Sequence, residues 1–302
     1  MSYVFYQTKR ILKEIKSLLS GTQGNATIEG VNQRLRRFVN KITLRQIIAF
    51  RIGHLAFNTE DFLRHFHFYH EEAKKNKHLI LLFSVTPEEN IVNHQLMTMI
   101  KRNYPVIDSP LLLNVIFSLA ENDPQLWKAD GEPLLSNVLV NIDEFFQAPA
   151  SLSFTEEEEE KGRRLLKDMG LEEDARFICF HSRDSVYLDK ISPDMDWTYH
   201  DYRDCQIENF LPAARYLTGQ GYYALRMGYG VTKELVTDDP KIIDYATRFR
   251  SDFGDIYLSA KCRFFIGNTA GISLITKDMP CHPHRSRIGA AFLRQHIHLL
   301  CD

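Results

Sequence analysis

The chain has 302 residues, 44% of them apolar and 25% charged, with a formal net charge of −2. That length accommodates two domains of ordinary size, and the near-neutral balance carries no overall bias toward nucleic acid. Five widely spaced cysteines without a C-x-x-C pair argue for reduced thiols in the cytoplasm, against a disulfide framework or a thiolate zinc site. No apolar run approaches the roughly 20 residues needed to span a bilayer, and the N-terminus lacks the apolar core of an export signal.

Charge is unevenly distributed. Residues 1–51 hold ten Lys or Arg against Glu14 and Glu29, a net of +8 that leaves −10 for the rest. Val4, Phe5, Ile11, Leu12, Ile15, Leu18 and Leu19 recur at helical spacing, with Lys9, Arg10, Lys13 and Lys16 between them, until Gly21 and Gly24 end the pattern. Such a basic amphipathic helix packs on its own protein or lies on an anionic membrane surface.

Gln46–Phe50 reads as a buried strand, with Arg51-Ile52-Gly53-His54-Leu55 at its carboxyl end and a helix after it. Leu79–Phe83 is the next strand. Thr86 as N-cap, Pro87 and Glu89 predict a helix running to about Lys101. Val106–Ile107 and Leu111–Leu119 supply a third strand and helix. Alternating strands and helices predict a parallel sheet. The stretch from Pro124 to Phe154 has no clear pattern. Thr155 with Glu158 then makes a capping box, the glutamates 156–160 form a solvated first turn at the positive end of the helix dipole, and Gly170 closes the helix. This helix marks the domain boundary, which gives a basic helical segment 1–40, a first domain 41–154 and a second domain 155–302.

In the second domain Arg176–Phe180 is an apolar run that stops on His181-Ser182-Arg183-Asp184, the signature of a strand buried on both faces whose polar tip lies at the carboxyl rim. Tyr187–Ile207 is a long polar and aromatic segment. Phe210–Leu217 is a helix, and Tyr222–Leu225 a strand ending on Arg226-Met227-Gly228. Ile242, Ile243 and Tyr245 form a short buried segment, and Ile256–Cys262 a further helical one. Arg263–Ile266 is a strand running into Gly267-Asn268-Thr269-Ala270-Gly271. In a parallel sheet these three strand ends share one rim, where two arginines and a small-residue helix start suit a diphosphate. Neither G-x-G-x-x-G nor G-x-x-x-x-G-K-[ST] is present.

Arg51–Ala56 with Asn58 and Glu60, His181–Asp184 with Tyr187-Leu188, Tyr199–Arg203 with Asn209-Phe210, Arg226–Gly228, and Phe265–Asn268 with Gly271 resemble a family of bacterial glycosyltransferases of surface-polysaccharide gene clusters. More distantly, His181-x-Arg183 and the Phe265–Gly271 turn are similar to motifs of fucosyltransferase-type enzymes. The resemblance spans roughly residues 45–275. It implies an α/β fold of GT-B type, two Rossmann-like parallel-sheet domains facing a cleft, behind an N-terminal amphipathic helix. It further implies a metal-independent, hexosyltransferase-like enzyme without cofactor. Its donor is a nucleotide-diphosphate sugar and its acceptor a surface glycan or polyprenyl-linked precursor. His181, Arg183, Asp184, Arg226, Gly228, Asn268, Thr269, Ala270 and Gly271 would bind the donor. His54 and Glu60, at the first strand's end, are the candidate bases for the acceptor hydroxyl. The expected location is cytoplasmic, peripheral at the inner face of the membrane through residues 1–51. The expected second domain is incomplete, because Lys277–Arg287 suits neither strand nor helix and the chain stops at Asp302. A loosely packed tail from about Lys277 follows from this, as does the alternative of a non-catalytic nucleotide- or glycan-binding relic. The tail histidines His282, His284, His296 and His298 lack the neighbouring carboxylates of a zinc site, and a metal hydrolase using the chain's scattered histidines is the third reading.

Overall fold

The computed structural model describes residues 2–20, 27–129, 145, 147–172, 174–183, 196, 198, 202, 204–231, 233–268 and 271–274. The chain divides into two compact units, Met1–Ser151 and Leu152–Asp302. The first begins with helices α1 (Ser2–Ser20) and α2 (Ile28–Leu35), so the N-terminal segment is part of that unit. Strands β1 (Lys41–Gln46), β2 (His78–Phe83), β3 (Val106–Ile107) and β4 (Trp127–Ala129) follow, alternating with α3 (Thr59–Lys75), α4 (His94–Asn103) and α5 (Pro110–Asn122). All strand pairs are parallel and the order is β3-β2-β1-β4, with Ile42 in register with both Leu79 and Trp127.

Ile11 and Ile15 of α1, Val31 and Leu35 of α2, and Ile116 and Leu119 of α5 pack with Ile42, Leu44, Leu79 and Leu81 in one core. Ile11 and Ile15 are thus buried in the protein itself, while Val4, Leu12 and Leu18 are partly buried against the same core and Leu19 is exposed. Each fully buried side chain contributes about 1.5–3 kcal/mol by leaving water. Asn32, 2% exposed, ties this layer together: its amide donates to the Leu119 carbonyl (2.9 Å), and its oxygen accepts from the Trp127 indole N–H (2.8 Å). Right-handed crossovers place α3 and α4 on the opposite face. Among the described residues no helix is long and apolar enough to cross a membrane.

The second unit repeats the plan. After α6 (Glu156–Asp168) come β5 (Phe177–His181), β6 (Tyr223–Arg226), β7 (Ile242–Ile243) and β8 (Phe265–Gly267), parallel in the order β7-β6-β5-β8. The capping box of α6 forms as its sequence predicts, Glu158 N–H to Thr155 Oγ1 (3.2 Å) and Thr155 N–H to Glu158 Oε2 (2.8 Å). Helix α7 (Leu211–Gly219) covers Ile178, Phe180, Ala224 and Ile242. The short helix α8 (Tyr245–Arg248) follows β7 and leads to α9 (Asp252–Lys261). Cys179 Sγ, on the other face of β5, reaches the Leu258 carbonyl of α9 (3.6 Å). Helices α6 and α9 approach so closely that a Cβ on Gly162 would fall 1.9 Å from the Tyr257 ring.

Three local expectations differ from the fold. The first strand is Lys41–Gln46 rather than Gln46–Phe50: Ile47, Ile48 and Ala49 are buried, but in the loop beyond the strand, where Ile47 N–H bonds the Phe83 carbonyl and Ala49 accepts from Val92. The cap after β2 is Asn93, whose oxygen accepts from Leu96 N–H (2.8 Å), because Pro87 takes an extended ψ of 148° and breaks the run that Thr86 would begin. Strand β4 lies in the stretch that has no clear sequence pattern. The tail from 275 lies outside the described residues.

Candidate functional site

In both units the chain moves outward from the first strand over two neighbours and then returns to the first strand's other edge. The crevice of such a sheet opens at the carboxyl ends of its first and last strands, where connections depart to opposite faces. In the second unit these are β5 and β8.

His181 closes β5. Its Nδ1 lies 3.0 Å from the Met227 carbonyl, which can only accept, so Nδ1 carries the proton and Nε2 keeps its lone pair. Burial, followed by the nearby Arg226 and Arg183 charges, lowers the ring's pKa to about 4 even though the Met227 bond favours the cation. It is a neutral imidazole at physiological pH. Glycines bracket it: a Cβ on Gly267 would stand 2.5 Å from the His181 carbonyl, and one on Gly228 would stand 2.7 Å from Val231 Cγ1 and 3.7 Å from His181 Nδ1. Only a residue without a side chain at 267 lets β8 come so near to His181, while Gly228 makes room for Val231 in its own loop.

Arg183, 8% exposed, joins the two strands that flank the crevice. Its backbone N–H donates to Asn268 Oδ1 (2.8 Å) and its carbonyl accepts from Cys205 N–H (3.1 Å). Its guanidinium is ion-paired with Asp204, and Ser182 Oγ donates to the Cys205 carbonyl. The structure therefore brings His181, Arg183, Gly228 and Asn268 together at the rim. Asp184, Thr269 and Ala270 lie outside the described residues; Gly271 opens a four-residue 3-10 turn, Gly271–Leu274.

Arg226 shares the rim but turns inward. At 4% exposure its Nη1 donates to Asp244 Oδ2 (2.9 Å) and to the Lys233 carbonyl (2.7 Å), and the same Asp244 oxygen accepts from Leu235 N–H (2.7 Å). A pair this enclosed fixes the segment after β6 against the residue after β7, leaving Arg226 to act on the crevice through its field on His181. Beyond Gly228, Arg250 stacks 4.3 Å from the Tyr229 ring centroid and makes two bonds to Asp255 (3.0 and 2.8 Å). Burial pushes the Asp255 carboxyl up to about 6 despite Arg250.

In the first unit the corresponding rim lies beyond β1, where His54–Asn58 form a π-type turn leading into α3. Asn58 Nδ2 lies 3.2 Å from His54 Nδ1. An amide nitrogen only donates, so the His54 proton sits on Nε2, and burial with the Arg51 charge lowers its pKa to about 4. His54 thus presents a neutral N–H donor. Glu60 is 0% exposed; Oε1 accepts from Arg64 Nε (2.7 Å) and Ser151 N–H (2.7 Å). Arg64 in turn donates to the Phe145 carbonyl (2.9 Å) and stacks on that ring (4.2 Å). Burial raises the Glu60 pKa against Arg64. Glu60 is placed as a buried tie between α3 and Ser151 at the end of the unit.

Sequence reasoning missed Asp204 and Asp244, the partners of the two arginines. Asp204 sits 21 positions beyond Arg183 in sequence, a separation with no periodic signal; Asp244, directly after the apolar pair Ile242–Ile243, had the weak signal of a carboxylate at a strand's end. Among the described residues no three His, Cys, Asp or Glu side chains gather as metal ligands, and the tail histidines lie outside that set. No protein-family model, curated protein or solved structure matches this chain.

Proposed function

We infer that the protein is a glycosyltransferase of GT-B type, moving a sugar from a nucleotide-diphosphate sugar to a surface-glycan or lipid-linked acceptor at the cytoplasmic face of a membrane. The observation that carries this reading is the meeting of His181, Arg183 and Asn268 at the second unit's switch point, with the glycine-lined approach beside them. It is supported by the sequence resemblance, whose motifs supply those residues.

The donor belongs to the second unit. Arg183 neutralises charge on the departing diphosphate, exchanging its partner Asp204 for phosphate oxygens; a preorganised cation aimed at developing charge is the electrostatic contribution that usually dominates such chemistry. The Nε2 of His181 accepts a hydroxyl from the ribose or the sugar, since a neutral ring with Nδ1 engaged has no donor left for a phosphate. Backbone N–H groups of 268–271, with Asp184, complete the donor contacts expected from sequence. Arg226 is assigned a positioning role. On the first unit His54 remains the candidate near the acceptor; to take a proton it must release Asn58 or exchange tautomers.

The test is a titration of UDP, GDP, CMP and dTDP against the parent and Arg183→Ala, read by calorimetry. Binding of at least one nucleotide, weakened tenfold or more in the variant, is expected; equal affinity in the two proteins removes Arg183 from the diphosphate. The buried pairing of Arg226 with Asp244 favours a second reading, a nucleotide- or glycan-binding protein without turnover, because it leaves one rim arginine where two were expected. Release of nucleotide from sugar donors in the presence of polyprenyl-linked acceptors separates the two.

A further inference from the structure

The loop that leaves β6 carries an aromatic ring to the rim. Met227 and Gly228 are buried, yet Tyr229, the next residue, is 38% exposed. Gly230 after it has a φ of +67°, a left-handed conformation that favours glycine, and Val231 folds back against Gly228. The sheet sets where this ring stands. Phe180 of β5 pairs with Arg226 of β6, and Arg183 and Tyr229 each lie three positions beyond that pair. A Cβ on Gly228 would be 3.7 Å from His181 Nδ1, so the two chains stay close up to the residue before Tyr229. Neighbouring strands run about 4.8 Å apart, which puts Tyr229 at the same end of the sheet as Arg183, one strand over.

The ring is backed by a cation that is itself held in place. The Arg250 guanidinium, 4.3 Å from the ring centroid, bonds Asp255 twice and Asp252 once (2.7 Å). Asp255 is 5% exposed and also accepts from Tyr245 Oη (3.0 Å), so Arg250 is anchored to the interior side of α9. A cation over one face of an aromatic ring steadies its plane. Two carboxylates outnumber the single guanidinium, and the platform therefore offers a ligand aromatic surface without surplus positive charge. That suits an uncharged planar group and not a phosphate.

We propose that Tyr229, backed by Arg250, stacks on the base of the nucleotide whose diphosphate Arg183 holds. The assignment rests on the donor site proposed above and adds the part of it that tells a nucleotide from pyrophosphate. Ligands of such a sheet lie across the carboxyl ends of its strands. A nucleotide with its phosphates at the end of β5 extends over one neighbouring strand, and the exposed ring is at β6. Every base has a π face, so this contact gives affinity for nucleotides as a class and leaves the choice among bases to other residues.

The experiment is a calorimetric titration of the full chain with UDP, GDP and inorganic pyrophosphate. Four proteins are compared: the parent, Tyr229→Ala, Tyr229→Phe and Arg183→Ala, with circular dichroism to check that each is folded. The parent is expected to bind at least one nucleotide more tightly than pyrophosphate. Tyr229→Ala should weaken that nucleotide about tenfold, the usual size of one base stacked on one ring, and leave pyrophosphate within twofold of the parent. Tyr229→Phe keeps the ring and should bind the nucleotide as the parent does, whereas Arg183→Ala should weaken both ligands. Nucleotide affinity of Tyr229→Ala within twofold of the parent overturns the proposal, as does an equal loss of nucleotide and pyrophosphate in that variant. If Tyr229→Ala is unfolded, Tyr229→Leu, which keeps apolar bulk without a π face, is read by the same criteria. A parent that binds pyrophosphate as tightly as UDP and GDP also overturns the stacking assignment, while the diphosphate role of Arg183 stands; a parent that binds none of the three removes the donor site and the stacking assignment together.

Discussion

Replacing Asp204 by Asn should weaken the protein and strengthen its grip on a diphosphate at the same time. The guanidinium of Arg183 is 9% exposed and Asp204 26%. Removing one member of a buried pair costs about 3–5 kcal/mol, because the other charge stays behind without compensation. The amide retains an acceptor for Nη1, and the partial exposure of Asp204 lets water screen part of the loss, so about 2–3 kcal/mol is the reasonable expectation. For a unit of this size that is a fall in Tm of roughly 6–10 °C. Binding moves the other way. A negative charge about 6 Å from a phosphate repels it by about 3 kcal/mol at an effective dielectric near 20, and roughly half survives screening at a partly exposed site. Its removal should tighten nucleotide-diphosphate binding about tenfold.

Scanning fluorimetry with and without UDP or GDP reads both effects in one experiment. The expected pattern is a lower Tm for ligand-free Asp204→Asn and a larger ligand-induced shift than the parent shows. An unchanged Tm would mean that the pair contributes nothing to folding. A lower Tm with an equal or smaller ligand shift would mean that Arg183 does not meet the phosphates, and the donor assignment would fall with it.

The neutral state of His181 makes stability depend on pH. Its folded value near 4 lies below the 6.5 of an unfolded imidazole, so its contribution is complete above 6.5 and is lost as pH falls through that window, about 3 kcal/mol in all. Asp255, raised to about 6, works oppositely over nearly the same range, so His181→Gln should lose less stability than the parent between pH 7 and pH 5, and an equal loss in urea denaturation would refute the neutral ring. Gly162→Ala should destabilise by about 1–3 kcal/mol, since its Cβ must displace the Tyr257 ring, and the effect should be less than additive with Tyr257→Ala; full additivity would show that the close approach is not the cause.

Periodicity and capping revealed the second unit better than the first. Phe177–His181 is a five-residue apolar strand with a polar tip, and its buried face-to-face environment matches that composition; Thr155 with Glu158 caps α6 through contacts three residues apart. Local rules suffice where the interactions are local. They fail at Ile47–Ala49, because burial of a loop and burial of a strand select the same side chains, and at Trp127–Ala129, where a three-residue strand is defined by pairing with β1 rather than by any pattern of its own. The site follows the same division. Glycines 228 and 267 were legible as turns; the contact that requires Gly228, with Val231, is local, but the one that requires Gly267, with the His181 carbonyl, crosses from β8 to β5. The arginines were legible as cations at strand ends, whereas their partners Asp204 and Asp244 are fixed only by the fold.

Position relative to the switch point explains which of the strand-end residues meet at the crevice. His181, Arg183 and Asn268 belong to β5, β8 and the residues directly after them, the two strands between which the crevice opens. Arg226 ends β6, one strand further out, where the carboxylate that follows β7 lies 2.9 Å from its Nη1. An arginine there gains more by closing on Asp244 than by waiting exposed, since an unpaired buried charge costs several kcal/mol. The first unit has the same strand order, so the same sorting applies: His54 lies in the turn that leaves the rim after β1, while Glu60 is already in the first turn of α3 and faces Arg64. Two ionisable residues six positions apart thus separate into one in the turn that leaves the rim and one that ties α3 to Ser151, and the strand order, which no single segment of the sequence contains, decides between them.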